Sequence, residues 1–292
     1  MLTPVLLGGL AVLLAGPLPW LMSRWTALRR TPAAAMLLWQ CTALAAVLAA
    51  FGAGLSLATD PLWHPPVVAG DVAVAGLAGA VTLVVAARLV LSGHRTGTEL
   101  RRMRRRHRER VDLLARVDGG VSVLEHDLPV AYCVPGMSGA RIVVSRSTLT
   151  LLAPAELRAV LEHERSHLRA RHDLVLEAFA VLHRAFPRWV ASGAARQEVE
   201  VLVEVLADRA AVRSGERRAL ISALLALAGS TAPEGALGSA GSAIAVRVEA
   251  LRDTGRHRVQ AAAVLGLSAA ILAAPTLLVV LAWLGSLRHA SL

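Results

Sequence analysis

"AVLEHERSHLRARHD", residues 159–173, places His163 and His167 four positions apart, with Glu164 directly after the first. In a helix, residues i and i+4 share a face about one turn apart, so two imidazoles can address one ion. Glu164 stands beside the first imidazole, within reach of a water on that ion. This is the H-E-x-x-H arrangement, in which two histidines hold zinc and the glutamate acts as general base in hydrolysis. With ten histidines among 292 residues, random placement yields about 0.015 such motifs, so coincidence is a poor account. Pro154 and Glu156 are helix-start signals, and the spacing predicts a helix over 153–171.

A catalytic zinc takes a third protein ligand and keeps one open position. His172 lies five residues after His167. The extended metzincin pattern needs Gly at 170 and His at 173, where this chain has Ala170 and Asp173, so His172 is expected to be a surface side chain. The other source is "EVEVLVEVLADRAAV", 198–212, where Glu200, Glu204 and Asp208 recur every four residues. A solvated face would explain such a stripe. The helix is otherwise so apolar that burial beside a cation explains it better, because buried carboxylates need a charge partner or a metal.

Outside this region the chain is unusually apolar: 55% hydrophobic residues, with a mean hydropathy of +0.55. Four stretches, about 2–22, 33–57, 67–91 and 259–284, are long and apolar enough to cross a bilayer core. The first lacks the basic leader of a signal peptide. The chain has 31 basic and 21 acidic residues, a net charge of +10, and every basic residue except histidine is arginine. Cys41 and Cys133 suggest no disulfide framework.

Arginine placement sets the expected orientation. "SRWTALRRTP" (23–32) and "HRTGTELRRMRRRHRER" (94–110) are arginine-rich, whereas "ATDPLWHPP" (58–66) has none. Both termini should then lie outside and the insert, 93–258, in the cytoplasm. "GRHR" (255–258) agrees. The arginine run reads first as a solvated anchor on anionic lipid. An acidic partner comes second. Nucleic acid is last, since no aromatic residues interleave.

Within the insert, 93–118 reads as a basic helix. "GGVSVLEHD" (119–127), "LPVAYCVPG" (128–136) and "ARIVVSRS" (140–147) read as short strands bounded by Gly and Pro signals. Helices are expected at 174–185, 194–213, 216–229 and 243–253, with a flexible loop at 229–242.

The pattern "PG…ARIVVS…L…APAELRAVLEHERSH…D" followed by "EVLADRAA" resembles the membrane-embedded zinc metallopeptidases of the penicillin-sensor (BlaR/MecR-like) type. It is also similar to the related HtpX-like and prenyl-protease group. "AFPRW" (185–189) falls where such proteins bend between the two active-site helices, and "AVRVEAL" (245–251) resembles their closing helix. The resemblance implies one zinc per chain held by His163, His167 and Glu204, with Glu164 as base. Glu204 is preferred over Glu200 because it stands four before Asp208, which would orient a ligand histidine. Tyr132 and Arg247 are oxyanion-stabilising or structural. Nothing after the fourth span is large enough for an external penicillin-binding sensor.

The expected fold is therefore a predominantly α membrane protein. Three transmembrane helices occupy 1–92, a cytoplasmic α+β zincin-like metallopeptidase insert fills 93–258, and a fourth helix with a short external tail occupies 259–292. The expected location is the bacterial inner membrane, multi-pass. The expected activity is zinc-dependent endoproteolysis of a cytosolic or membrane-proximal protein, such as a transcriptional repressor. Membrane-protein quality control and a non-catalytic zinc-containing scaffold or receptor are the alternatives. Expected partners are a protein or peptide substrate and the lipid bilayer; no direct nucleic-acid contact is expected, and oligomerisation is left open. A four-span transporter is the weakest reading, since the spans carry few ionisable residues, Asp71 and Arg88 near their ends.

Overall fold

The computed structural model describes residues 2–63, 67–136, 139–186, 190, 192–231 and 239–290. In chain order the elements are α1 (Leu2–Ala15), α2 (Pro17–Arg24), a 3-10 turn (Thr26–Arg30), α3 (Pro32–Trp63) and α4 (Ala69–Leu114). A sheet region follows with β1 (Arg116–Asp118), β2 (Val121–Leu124), β3 (Ala131–Val134) and β4 (Arg141–Ser145). The remaining helices are α5 (Arg146–Leu151), α6 (Pro154–Arg169), α7 (His172–Ala185), α8 (Ser192–Ser214), α9 (Arg217–Thr231), α10 (Ser239–Arg252) and α11 (Arg258–Ala290).

The chain divides into two units. The first comprises Met1–His94, Phe179–Glu198 and His257–Leu292; the second comprises Arg95–Ala178 and Val199–Arg256. Residues 179–198 thus group with the apolar helices although they lie inside the 93–258 stretch.

Among the described residues, four helical stretches are long and apolar enough to cross a membrane: Leu2–Arg24, Pro32–Pro61, Ala69–Leu114 and Arg258–Leu281. The first is not one rod, because Pro17 begins α2 after a break at Gly16. α3 packs against α1 and α11, and its Ala35, Ala45 and Ala49 have no measurable exposure. Such small residues let helix backbones approach closely in an apolar medium. Gly54 does the same for α4: a Cβ there would lie 1.9 Å from the Thr82 hydroxyl. Leu77, Leu83 and Val90 on α4 remain exposed, an outward apolar surface on a helix long enough to cross a membrane. Arg88 Nε and Ser92 Oγ on α4 donate to the carbonyls of Ala185 and Val181 at 3.1 and 2.9 Å.

α4 has 46 residues, about 70 Å at a helical rise. A bilayer core is only about 30 Å thick, so the arginine-rich half extends beyond any span. This half ends at Leu114, where 93–118 had been expected to stay helical; Arg116–Asp118 instead pair as β1 with β2. The arginine run is mostly exposed, as expected. Arg104 departs from that: its guanidinium is clamped to Asp173 at 3.2 Å and Glu177 at 3.4 Å.

The sheet order is β1-β2-β4-β3, with β2 and β4 parallel and the other pairs antiparallel. Ile142 to Ser145 of β4 are all buried, as befits an interior strand covered on both faces. Ser145 caps α5 by accepting the Thr148 N–H at 3.1 Å, and its hydroxyl also accepts the Val130 N–H at 3.0 Å. α5 had not been expected from the sequence.

α6 starts as its signals require. Pro154 occupies the first turn, and the Glu156 carboxylate accepts the Ala153 N–H at 2.8 Å. Ala159, Val160, His163 and Ser166 form its buried stripe. Ala159 packs with Ala211 of α8, Leu220 and Leu224 of α9 and Leu251 of α10; each fully buried Leu contributes about 1.5–3 kcal/mol. α8 buries Val199, Leu202, Val203, Val205 and Ala207 almost completely, so it is a core helix despite its acids.

Two expected connections differ in part, and a third falls largely outside the described residues. Residues 58–63 continue α3, and 64–66 lie outside the described residues. At 229–242 the ends are helical, belonging to α9 and α10, and 232–238 lie outside the description. The expected bend at 185–189 falls largely on 187–189, which also lie outside it.

Candidate metal centre

α6 and α8 bring three donors to one point. The Nε2 atoms of His163 and His167 are 3.1 Å apart. Glu204 Oε2 lies 3.5 Å from His163 Nε2, and its Oε1 lies 3.5 Å from His167 Nε2. Two ligands about 2.1 Å from one tetrahedral zinc are separated by about 3.4 Å. The three spacings therefore fit a zinc without rearrangement, and two nitrogens with one carboxylate are a donor set zinc accepts. Among the described residues, this is the group of His, Cys, Asp and Glu side chains close enough to hold an ion.

The acidic stripe of α8 is graded. Glu200 is exposed, Glu204 reaches the histidines, and Asp208 is 1% exposed. Asp208 Oδ1 accepts from His163 Nδ1 at 2.8 Å. This contact fixes the ring so that Nε2 faces the donor cluster. Arg247 of α10 forks onto Asp208 at 2.7 and 2.8 Å and reaches Glu204 at 3.0 Å. Its guanidinium is thus engaged by carboxylates and buttresses both.

Electrostatics follow from this packing. Burial works against charge on His163, yet the hydrogen bonds to Asp208 and Glu204 prevail and raise it to about 9. Burial lowers His167 to about 4. Burial also opposes ionisation of Glu204 and Asp208. Contact with His163 and Arg247 outweighs it and holds both below the usual carboxylate range. Glu164 goes the other way: burial raises its pKa, and His163 and Cys133 offset only part of that. A buried carboxyl with a raised pKa is the environment a proton-transferring group requires.

β3 forms an edge of the sheet. The Val130 carbonyl accepts the Ser145 N–H at 2.9 Å, so by antiparallel alternation Ala131 and Cys133 turn their backbone groups to the free edge. The Glu164 carboxyl lies against Cys133, whose backbone and thiol both act on it. Burial, then Glu164, pushes that thiol's pKa up, so it stays protonated. Beside this edge lies a cleft of about 460 Å³, shared by Tyr132, Cys133, His167, His172 and Arg104. The Tyr132 hydroxyl is 3.0 Å from His107 Nε2.

Two members of this region were missed by sequence reasoning. Cys133 was placed on a strand correctly, but nothing in the sequence says which strand borders α6. His172, expected at the surface, is 7% exposed, and its Nδ1 lies 3.1 Å from His167 Nδ1. In a continuous helix, residue i+5 points about 140° away from residue i. α6 ends at Arg169, however, and Arg171 takes φ 51°, which turns His172 back.

A protein-family model described as peptidase family M48 matches residues 99–255, more than half of the chain and every residue of this centre. No match emerged among curated proteins, and none among solved structures.

Proposed function

The chain belongs to peptidase family M48, a family of metallopeptidases, and on that premise we propose that it is a membrane-bound zinc endopeptidase. Its substrate would be a cytosolic or membrane-proximal protein. The observation that carries this reading is the spacing of His163 Nε2, His167 Nε2 and the Glu204 carboxylate at 3.1, 3.5 and 3.5 Å.

A bound zinc supplies a Lewis acid that polarises the scissile carbonyl and acidifies the attacking water. Glu164 takes the proton of that water through its carboxylate and later delivers it to the leaving amine. Its raised pKa suits a group that must both accept and return a proton. Asp208 and Arg247 keep His163 and Glu204 in place. The outward N–H and C=O groups of Ala131 and the outward C=O of Cys133 offer an edge on which an extended substrate can add a strand.

The layout of three apolar helices, an insert and a fourth helix supports the resemblance to the penicillin-sensor type, with signalling proteolysis as the role. The arginines at 24, 29, 30 and 94–110 favour a cytoplasmic insert. A closed structural zinc would need no base, so Glu164 speaks against a purely non-catalytic scaffold.

The test is metal content and peptide hydrolysis by purified full-length protein, comparing wild type with Glu164→Gln. The amide fits the space but cannot accept a proton. The variant should keep about one zinc per chain and lose 10²–10⁴-fold in turnover. Wild-type turnover in Glu164→Gln would remove Glu164 as the base.

A further inference from the structure

Each ligand imidazole offers Nε2 to the proposed zinc, and the other nitrogen decides how firmly that ring is held. His163 has Asp208 for this purpose, at 2.8 Å. His167 has no equivalent on α8; its Nδ1 lies 3.1 Å from Nδ1 of His172. The two rings meet edge to face, 4.9 Å between centroids and 84° between planes. The approach is built into the chain. The left-handed Arg171 (φ 51°) folds the start of α7 back onto the last turn of α6. Arg104 then pins the adjacent Asp173 at 3.2 Å.

Proton bookkeeping fixes the roles. With Nε2 of His167 committed to a metal, its proton sits on Nδ1. Two nitrogens 3.1 Å apart share one proton, so Nδ1 of His172 must be the bare acceptor and its own proton must lie on Nε2. We propose that His172 is the positioning residue for His167: its Nδ1 accepts the Nδ1–H of His167 and holds Nε2 on the metal. The inference rests on the zinc reading. A neutral imidazole draws on its donor less than a carboxylate does. The two ligands are therefore unequal, and His167 is the weaker.

The experiment is zinc affinity by chelator competition on the full-length protein in detergent, with wild type, His172→Leu and His172→Asn. Leu removes the acceptor; the Asn Oδ1 stands close to where Nδ1 stood and restores it. His172→Leu should bind zinc about 10–100-fold more weakly, and His172→Asn should recover most of the loss. Unchanged affinity in His172→Leu would overturn the proposal. So would equal losses in both variants, which would mean packing alone. A His163→Ala/His167→Ala control separates the premises: full zinc occupancy there sinks the metal centre itself, whereas loss there with unchanged His172→Leu sinks only the role of His172. Should the Leu variant fail to fold, ¹⁵N-imidazole NMR of the zinc-loaded wild type decides. The expected spectrum has a protonated Nε2 and bare Nδ1 on His172; a proton on its Nδ1 refutes the assignment.

Discussion

Replacing Asp208 by Ala tests how the centre is held together. The carboxylate is 1% exposed. It accepts from Arg247 at 2.7 and 2.8 Å and from His163 at 2.8 Å. Breaking a buried ion pair by deleting one partner costs about 3–5 kcal/mol, because the survivor is left uncompensated. Here Arg247 keeps Glu204 at 3.0 Å, so the loss should fall at the lower end, about 3 kcal/mol. A second effect is separate. His163 loses its orienting acceptor, and Arg247, left with Glu204 alone, competes with the metal for it. Zinc affinity should fall about 10–100-fold, equivalent to about 1.4–2.7 kcal/mol. Unfolding in detergent with chelator present reads the first effect, and chelator competition reads the second. The double variant Asp208→Ala/Arg247→Leu should be less destabilised than the sum of the singles, with a coupling of about 1–3 kcal/mol. An Asp208→Ala protein within about 0.5 kcal/mol of wild type, with unaltered zinc affinity, would refute the account of a buried, charge-paired support.

Two further outcomes are expected. A reporter fused after residue 150 should behave as a cytoplasmic fusion and one at residue 62 as an external one; the opposite pattern overturns the arginine argument. Peptide substrates carrying single backbone N-methyl groups should lose more than about tenfold in kcat/KM at alternate positions, where their N–H would pair with β3. A flat scan would show that the free edge does not hold substrate.

Much of the protein was legible from local signals. A 3.6-residue period with its start signals at Pro154 and Glu156 was enough to place α6 and to put His163 and His167 on one face. Length and hydropathy alone marked the four apolar helices, because a bilayer demands about 20 such residues in a row. The four-residue spacing of Glu200, Glu204 and Asp208 announced an acidic stripe but left open which member faces the histidines. That choice depended on how deep each lies in the packing of α8, which no spacing encodes. The same holds for Arg247, some 40 residues beyond Asp208, whose forked contact exists only because α10 packs against the core shared by α6, α8 and α9. Sheet order decided that Cys133 of β3 borders Glu164. His172 shows the limit most clearly. Helical periodicity pointed it away from His167, and one left-handed residue, Arg171, reversed that direction. Sequence periodicity holds only while the backbone repeats; where a helix ends, the tertiary structure decides which side chains meet.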